Sequence, residues 1–326
     1  MRAPSALLLA ALACALVPGN AAAQGADSYP SKPVKMVVGA APGGNPDVLA
    51  RLLAQKLSDV FGKPFVIENM PGAGGVPAAV SVARASADGH VLMLGDSGAM
   101  AINVALNDKL PYQPLRDFTP ITALASVPTV LLVHPSVRAS TLAEFIALAK
   151  SQPGLLSYGS AGNGSVHHLT MEIFAARAGI QLLHVPYKGG TALVGALLAG
   201  DVQAGFSGIP NVLQAIKAGR LRVFGISTVR RSGSLPDVPA LAELGLAGFD
   251  VATTIGLQAP AGLAREIVAR LQTAVAKALR ERDVSERMAN LGMELMENGT
   301  AHYVQFVRDD LERYAAAVKA AGVKMD

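Results

Sequence analysis

The sequence predicts an α/β protein of about two domains built around mainly parallel sheets. Short apolar, β-branched runs alternate with helical patterns almost from end to end, the signature of βα units. The chain has 326 residues, and at roughly 150 residues per domain that is length for about two. Its residues are 51% hydrophobic and 16% charged, enough to bury a full core, and 33 glycines and 20 prolines suit many tight turns while excluding a coiled coil or a collagen-like chain.

Strands are expected at 34–39, 64–68, 91–95, 129–134, 182–185, 202–207, 222–227 and 251–257. Helices fall between them. Leu49, Leu52, Leu53, Leu57 and Val60 share one face of the first at the 3.6-residue period. Val166, Leu169, Thr170, Ile173 and Phe174 repeat the pattern, as do Leu193, Val194, Leu197 and Leu198. Two long helices follow at 264–280 and 301–321, with stripes at Ile267, Val268, Leu271 and Val275 and at Val304, Val307, Leu311, Tyr314 and Val318.

Residues 1–23 carry Arg2, an apolar run from Ala6 to Val17, then Pro18, Gly19 and Ala21-Ala22-Ala23. This is a secretory signal peptide, with cleavage expected between Ala23 and Gln24. The run is shorter than the ~20 apolar residues that span a bilayer, so an exported, soluble mature chain is expected. Cys14, the single cysteine, lies inside that run; lipoprotein cleavage there is poorly supported because residues 15–17 are still apolar. The mature chain then has no disulfide, thiol nucleophile or cysteine-ligated metal. A net charge of +4 without a basic, aromatic-interleaved cluster argues against nucleic acid.

Three glycine-rich turns each open a helix. In Ala41-Pro42-Gly43-Gly44-Asn45-Pro46-Asp47, Asn45 is expected as N-cap, Pro46 as first helical residue and Asp47 as a first-turn acid. In Gly159-Ser160-Ala161-Gly162-Asn163-Gly164-Ser165, Ser165 is expected to cap the helix that carries His167 and His168. Tyr187-Lys188-Gly189-Gly190-Thr191 opens the third. Helix starts present unpaired N–H groups and about half a positive charge each, so two of them facing one cleft make an anion site. Taken singly, each turn also reads as an ordinary βα connection.

Enzyme motifs fail. Gly95-Asp96-Ser97-Gly98 and Gly205-Phe206-Ser207-Gly208 place the second glycine one position early for a nucleophile elbow, and neither a P-loop nor a dinucleotide fingerprint is present. No cofactor is expected. His168 and Glu172 share a helix face but do not make a metal site alone, so no metal is expected and His168 reads as a structural or ligand-contacting histidine. Asp47 reads as dipole stabilisation more simply than as a catalytic base.

Several blocks in order resemble the substrate-binding proteins of tripartite tricarboxylate transporters, the Bug family. They include Tyr29-Pro30-Ser31-Lys32-Pro33-Val34, Pro42-Gly43-Gly44 with Asp47, Val66-Ile67-Glu68-Asn69 through Gly74-Gly75, Ser160-Ala161-Gly162-Asn163-Gly164, His184-Val185-Pro186-Tyr187-Lys188-Gly189 and Leu235-Pro236-Asp237-Val238-Pro239. The resemblance covers essentially the whole mature chain. It implies a two-lobed, type II-like periplasmic binding protein fold, with lobe 1 at 24–128 plus 252–326, lobe 2 at 129–251, and the ligand in the cleft between them. It implies a monomeric periplasmic receptor that captures a small organic carboxylate and hands it to the large and small membrane subunits of a transporter. A receptor that signals to a sensor partner and an exported α/β hydrolase are the alternatives.

By the same likeness, the ligand contacts are Gly43, Gly44 and Asp47 from one lobe and Ala161, Gly162, Asn163, Gly164 and Ser165 from the other; Pro42 and Asn45 of the same turn, with Ser97, His168, Tyr187, Ser207 and Thr254, are expected around them. The chain departs from the family pattern at three places. Ala40-Ala41 stand where an aromatic often precedes the first turn, Ser207-Gly208 where Asp-Asn is common, and Thr254-Ile255 where an aromatic pair is frequent. The swaps predict a roomier, less acidic cavity. Asp96 is left open between a ligand acceptor and a solvated loop acid.

Overall fold

The computed structural model describes residues 29–296 and 299–321; the signal peptide expected over 1–23 lies outside them. In chain order the elements are β1 (Val34–Val38), α1 (Asn45–Phe61), β2 (Phe65–Asn69), α2 (Val76–Ala83), β3 (Val91–Asp96), α3 (Asn103–Leu106), α4 (Pro114–Asp117) and β4 (Phe118–Val133). Then come α5 (Leu142–Ser151), β5 (Ser157–Ser160), α6 (Val166–Ala178), β6 (Leu183–Pro186), α7 (Gly190–Ala199), β7 (Ala204–Gly208), α8 (Ile209–Lys217) and β8 (Arg222–Ile226). β9 (Ala252–Pro260), α9 (Arg265–Leu279), α10 (Arg282–Asn290), β10 (Glu294–Leu295) and α11 (Thr300–Ala321) complete them. A π-helical turn, Gly98–Ile102, links β3 to α3.

The sheet order is β2-β1-β3-β9-β4-β7-β5-β6, with β8 and β10 also pairing β4. β1 is parallel to β2 and β3, and β5 is parallel to β6 and β7. The sheet is nevertheless mixed, because β4 and β9 run antiparallel to their neighbours. β4 joins the two halves: Phe118–Pro128 pair with β9, and Thr129–Val133 pair with β7 and β8.

The 16 residues of β4 extend well upstream of the strand expected at 129–134. Pro120 and Pro128 disguised the first part. Pro120 sits where the register with β9 shifts, and Pro128 pairs with Ala252, the first residue of β9; bulges and strand ends tolerate a residue without an N–H. β5, Ser-Tyr-Gly-Ser, was not expected, having no branched apolar residue.

Burial follows the helical periods with one shift. On α1 the buried stripe is Leu49, Leu53 and Leu57 with Ala50 and Ala54, whereas Val60 is 52% exposed. That stripe packs with Leu92, Leu257, Leu271 and Val275 in one core. Leu131 and Val133 of β4 enter a second core with Phe145, Phe174 and Phe206, while Val130 and Leu132 enter a third with Leu193, Leu197 and Ile226. Both faces of that strand end are therefore covered. α11 straddles the halves: Tyr303 and Val307 pack on Ala123 of β4, and Tyr314 and Val318 enter the core around Phe174.

Candidate functional site

A cleft of about 320 Å³ opens where three helix starts converge on the crossing strands. Gly43, Gly44, Asn45 and Pro46 bring the start of α1, Val166 and His167 the start of α6, and Gly208 and Asn211 the start of α8. The strands supply Asp96 of β3, Val127 and Thr129 of β4, and Thr253 and Ile255 of β9. No lysine or arginine is among the described residues that line it.

The α1 turn is built backwards from Asp47. Gly43 takes a φ of +86°, open to glycine without strain, and its N–H donates to Asp47 Oδ2 at 2.8 Å. Arg51 Nε donates to the same oxygen at 3.0 Å, and Asn69 Nδ2 donates to Oδ1 at 2.8 Å and to the Ala40 carbonyl at 3.0 Å. Burial works to raise the Asp47 carboxyl, but these donors outweigh it and hold the group below the usual carboxylate range. The N-cap is Gly44, with Asn45 and Pro46 as the first two helical residues, one position earlier than expected. The Gly44 N–H donates to Ala41 O at 3.2 Å. Both glycine N–H groups thus have internal partners.

The α6 turn repeats this economy. Gly162 N–H donates to Ser160 Oγ at 3.1 Å, Gly164 N–H to His168 Nδ1 at 3.0 Å, and Ser165 N–H to Gly162 O at 3.2 Å. Ser165 is the N-cap, its Oγ accepting the His168 N–H at 3.3 Å. His168 Nδ1 must be unprotonated to accept, which places the ring proton on Nε2, 4.0 Å from Glu172 Oε1. The His168 ring stacks on His184 at 3.8 Å between centroids, His184 Nε2 lies 2.7 Å from Ser160 Oγ, and the Tyr158 hydroxyl donates to Glu172. Burial lowers both histidines, His184 to about 4, so the stack is neutral at pH 7.

Beneath the cleft, Ser97 Oγ donates to Asp310 Oδ2 at 2.8 Å and accepts the Thr254 N–H at 2.9 Å. Thr129 Oγ1 donates to Ser227 Oγ at 2.9 Å. Burial raises the Asp96 carboxyl, against the lowering effect of backbone N–H groups such as that of Ala99, 3.2 Å from Oδ1. His167 is pushed down to about 4 by burial, and its buried Nδ1 has no partner among the described residues.

Of the expected contacts, Gly43, Gly44 and Asn45 line the cleft. Pro42, Ala161, Gly162, Asn163, Gly164 and Ser165 are not among its described lining. Asp47 and His168 brace the two turns, and Ser97 and Thr254 face the small space toward Asp310. Ser207 is fully buried, its Oγ without a partner among the described residues, and Tyr187 packs on the Val130 core. Thr253 and Ile255 line the cleft where Thr254 was expected, since a strand covered on both faces does not show its parity in sequence. The α8 start was missed although Gly208-Ile209-Pro210 repeats the Gly44-Asn45-Pro46 pattern of N-cap glycine and second-position proline. The α7 start, read as the third such turn, is not among the described lining.

Two α/β halves bridged by a long strand, with a cleft of convergent helix starts at the bridge, are the architecture of the periplasmic binding protein fold. Solved relatives have the same fold: an R. palustris protein, Rpa4515 with adipate, at TM-score 0.78 and 33% identity, covering 91% of this chain and 99% of that one; and MatC of Rhodopseudomonas palustris with bound malate, at 0.74 and 35%, covering 89% and 100%. Protein BugT of Bordetella pertussis is 36% identical over 308 residues, 94% of each chain. The model of the tripartite tricarboxylate transporter family receptors matches residues 49–323, and the chain belongs to that family. It is a family of solute-binding receptors, not an enzyme class. Among the described residues no cluster of three or more histidine, cysteine or acidic side chains is placed to hold a metal.

Proposed function

We propose that this chain is a periplasmic receptor, exported after cleavage near Ala23, which captures a small organic carboxylate and delivers it as a monomer to the large and small membrane subunits of a tripartite transporter. The observation that carries this reading is the convergence of three helix starts on a cleft lined, among the described residues, by no cation. First-turn N–H groups have no partner within their own helix, and the first-turn residues that line the cleft and carry one are Asn45 of α1, Val166 and His167 of α6 and Asn211 of α8. A carboxylate there gains the positive ends of three helix dipoles. Neutral donors suit a receptor that must release its cargo, each hydrogen bond to a charged group contributing about 1.5–3 kcal/mol.

In this reading 24–128 with 252–326 and 129–251 act as two lobes, and the ligand favours their closed arrangement. The bound adipate of Rpa4515 and malate of MatC support a carboxylate ligand. A thermal-shift panel of dicarboxylates, hydroxy acids, aromatic acids and amino acids tests it. At 100 times its dissociation constant a ligand stabilises the native state by about 2.7 kcal/mol, and a panel in which no acid raises the melting temperature overturns the reading.

A further inference from the structure

We propose that Asp96 selects the cargo, so that the cleft prefers a monocarboxylate carrying a hydroxyl or amino donor over a plain aliphatic dicarboxylate of the same length. The inference rests on the reading that the cleft holds a carboxylate. Asp96 is the last residue of β3, paired with Ile255, and both line the cleft. It is the single ionisable acid among the described lining residues, and no lysine or arginine accompanies it there.

The carboxylate end of a ligand is served by the helix starts. A second carboxylate in the same small cleft would meet Asp96 without an intervening cation, so the two acids either repel as like charges or bind only with uptake of a proton, and both cost affinity at neutral pH. A hydroxyl or ammonium group is met in the opposite way. An ionised carboxyl offers about four lone-pair positions; the backbone N–H groups of Asp96 itself, Gly98 and Ala99, the last 3.2 Å from Oδ1, take three of them and leave acceptor capacity for one ligand donor. Burial disfavours the charged form of Asp96; a hydroxyl or ammonium donor on the ligand favours it, whereas a second carboxylate disfavours it further. His167 adds a second unfilled polar group: its Nδ1 is buried and unpartnered among the described residues, and the neutral ring brings no charge to offset a dianion. Were Asp96 present merely to hold the Gly98–Ile102 turn through Ala99, asparagine would serve equally and ligand choice would not depend on it.

Matched ligands isolate the effect. Adipate, 6-hydroxyhexanoate and 6-aminohexanoate differ at one end, as do succinate, 4-hydroxybutanoate and 4-aminobutanoate, and their dissociation constants are measured by calorimetry on wild type and Asp96→Asn. Expected is at least tenfold tighter binding of the hydroxy or amino acid than of its diacid at one chain length, with that ratio collapsing in Asp96→Asn. Tighter binding of the diacid at both lengths, or a ratio unchanged in folded Asp96→Asn, overturns the inference and leaves the carboxylate reading standing. No binding by any of the six acids, or by a wider acid panel, overturns both. If Asp96→Asn does not fold, the wild-type ranking decides alone.

Discussion

Asp47 is 1% exposed and touches no cleft space, yet it sets the cleft's shape by gathering Gly43, Arg51 and Asn69 onto one carboxylate. Asp47→Asn is expected to lower stability by about 1.5–3 kcal/mol at pH 7, the usual worth of hydrogen bonds to a buried charge. Because the folded carboxyl is held below its ordinary 3.8, its contribution is complete above that value and is lost as pH falls below it. Urea unfolding should therefore show the gap between wild type and variant narrowing from pH 4 to pH 2; a constant gap would mean the charge is not involved. Gly44 makes a contrasting case. Its φ of −69° suits any residue, and an added Cβ would lie 3.3 Å from the Ala41 carbonyl, a contact small shifts can relieve. Gly44→Val should leave the melting temperature within a few degrees while weakening ligand binding tenfold or more, because its branches occupy the mouth of α1. Equal affinity in the folded variant would remove the α1 start from the site.

At the scale of elements, the site is a set of helix starts held from behind, and the caps bear this out energetically. Ser165→Ala removes the oxygen that accepts the His168 N–H, which should cost about 1 kcal/mol and appear as a lower denaturation midpoint at unchanged m-value; no shift would show the cap to be idle. The helices behind two of these starts, α1 and α6, were legible because their apolar stripes repeat at 3.6 residues, as Leu49, Leu53 and Leu57 do. What chemistry each turn performs was less legible. Gly43, Gly44, Gly162 and Gly164 looked like backbone donors for a ligand, but their N–H groups go to Asp47, Ala41, Ser160 and His168. Glycine content reports which backbone angles a turn can take, not where its N–H vectors point. Strand parity on β9 and the proline-interrupted start of β4 were hidden for the same reason: both are settled by partners distant in sequence.

Across the whole molecule, α11 is the strap that crosses from one half to the other, and Asp310 is its polar anchor. Its carboxylate accepts from Ser97 Oγ at 2.8 Å and from Arg313 at 2.9 Å, while Ser97 also takes the Thr254 N–H of β9. At 4% exposure, burial outweighs Arg313 and Ser97 and pushes the group up from 3.8 to about 6. A raised folded value means that the native state keeps a proton the unfolded chain has released. Asp310 thus contributes fully below pH 3.8, and that contribution drains away as pH rises to about 6, by about 3 kcal/mol in total at 1.36 kcal/mol per unit. His167 and His184, both lowered to about 4 from 6.5, act in the opposite sense, their contribution failing as pH falls from 6.5 toward 4. The two trends overlap, so the wild-type curve alone is ambiguous. Subtracting Asp310→Asn isolates the carboxyl, since the histidines are common to both chains. The difference in unfolding free energy, wild type minus variant, should fall by about 2 kcal/mol between pH 4 and pH 6.5 and level off above about pH 7. A flat difference would mean that Asp310 is ionised in the fold throughout, and that Arg313 and Ser97, not burial, govern the joint between α11 and the crossing strands.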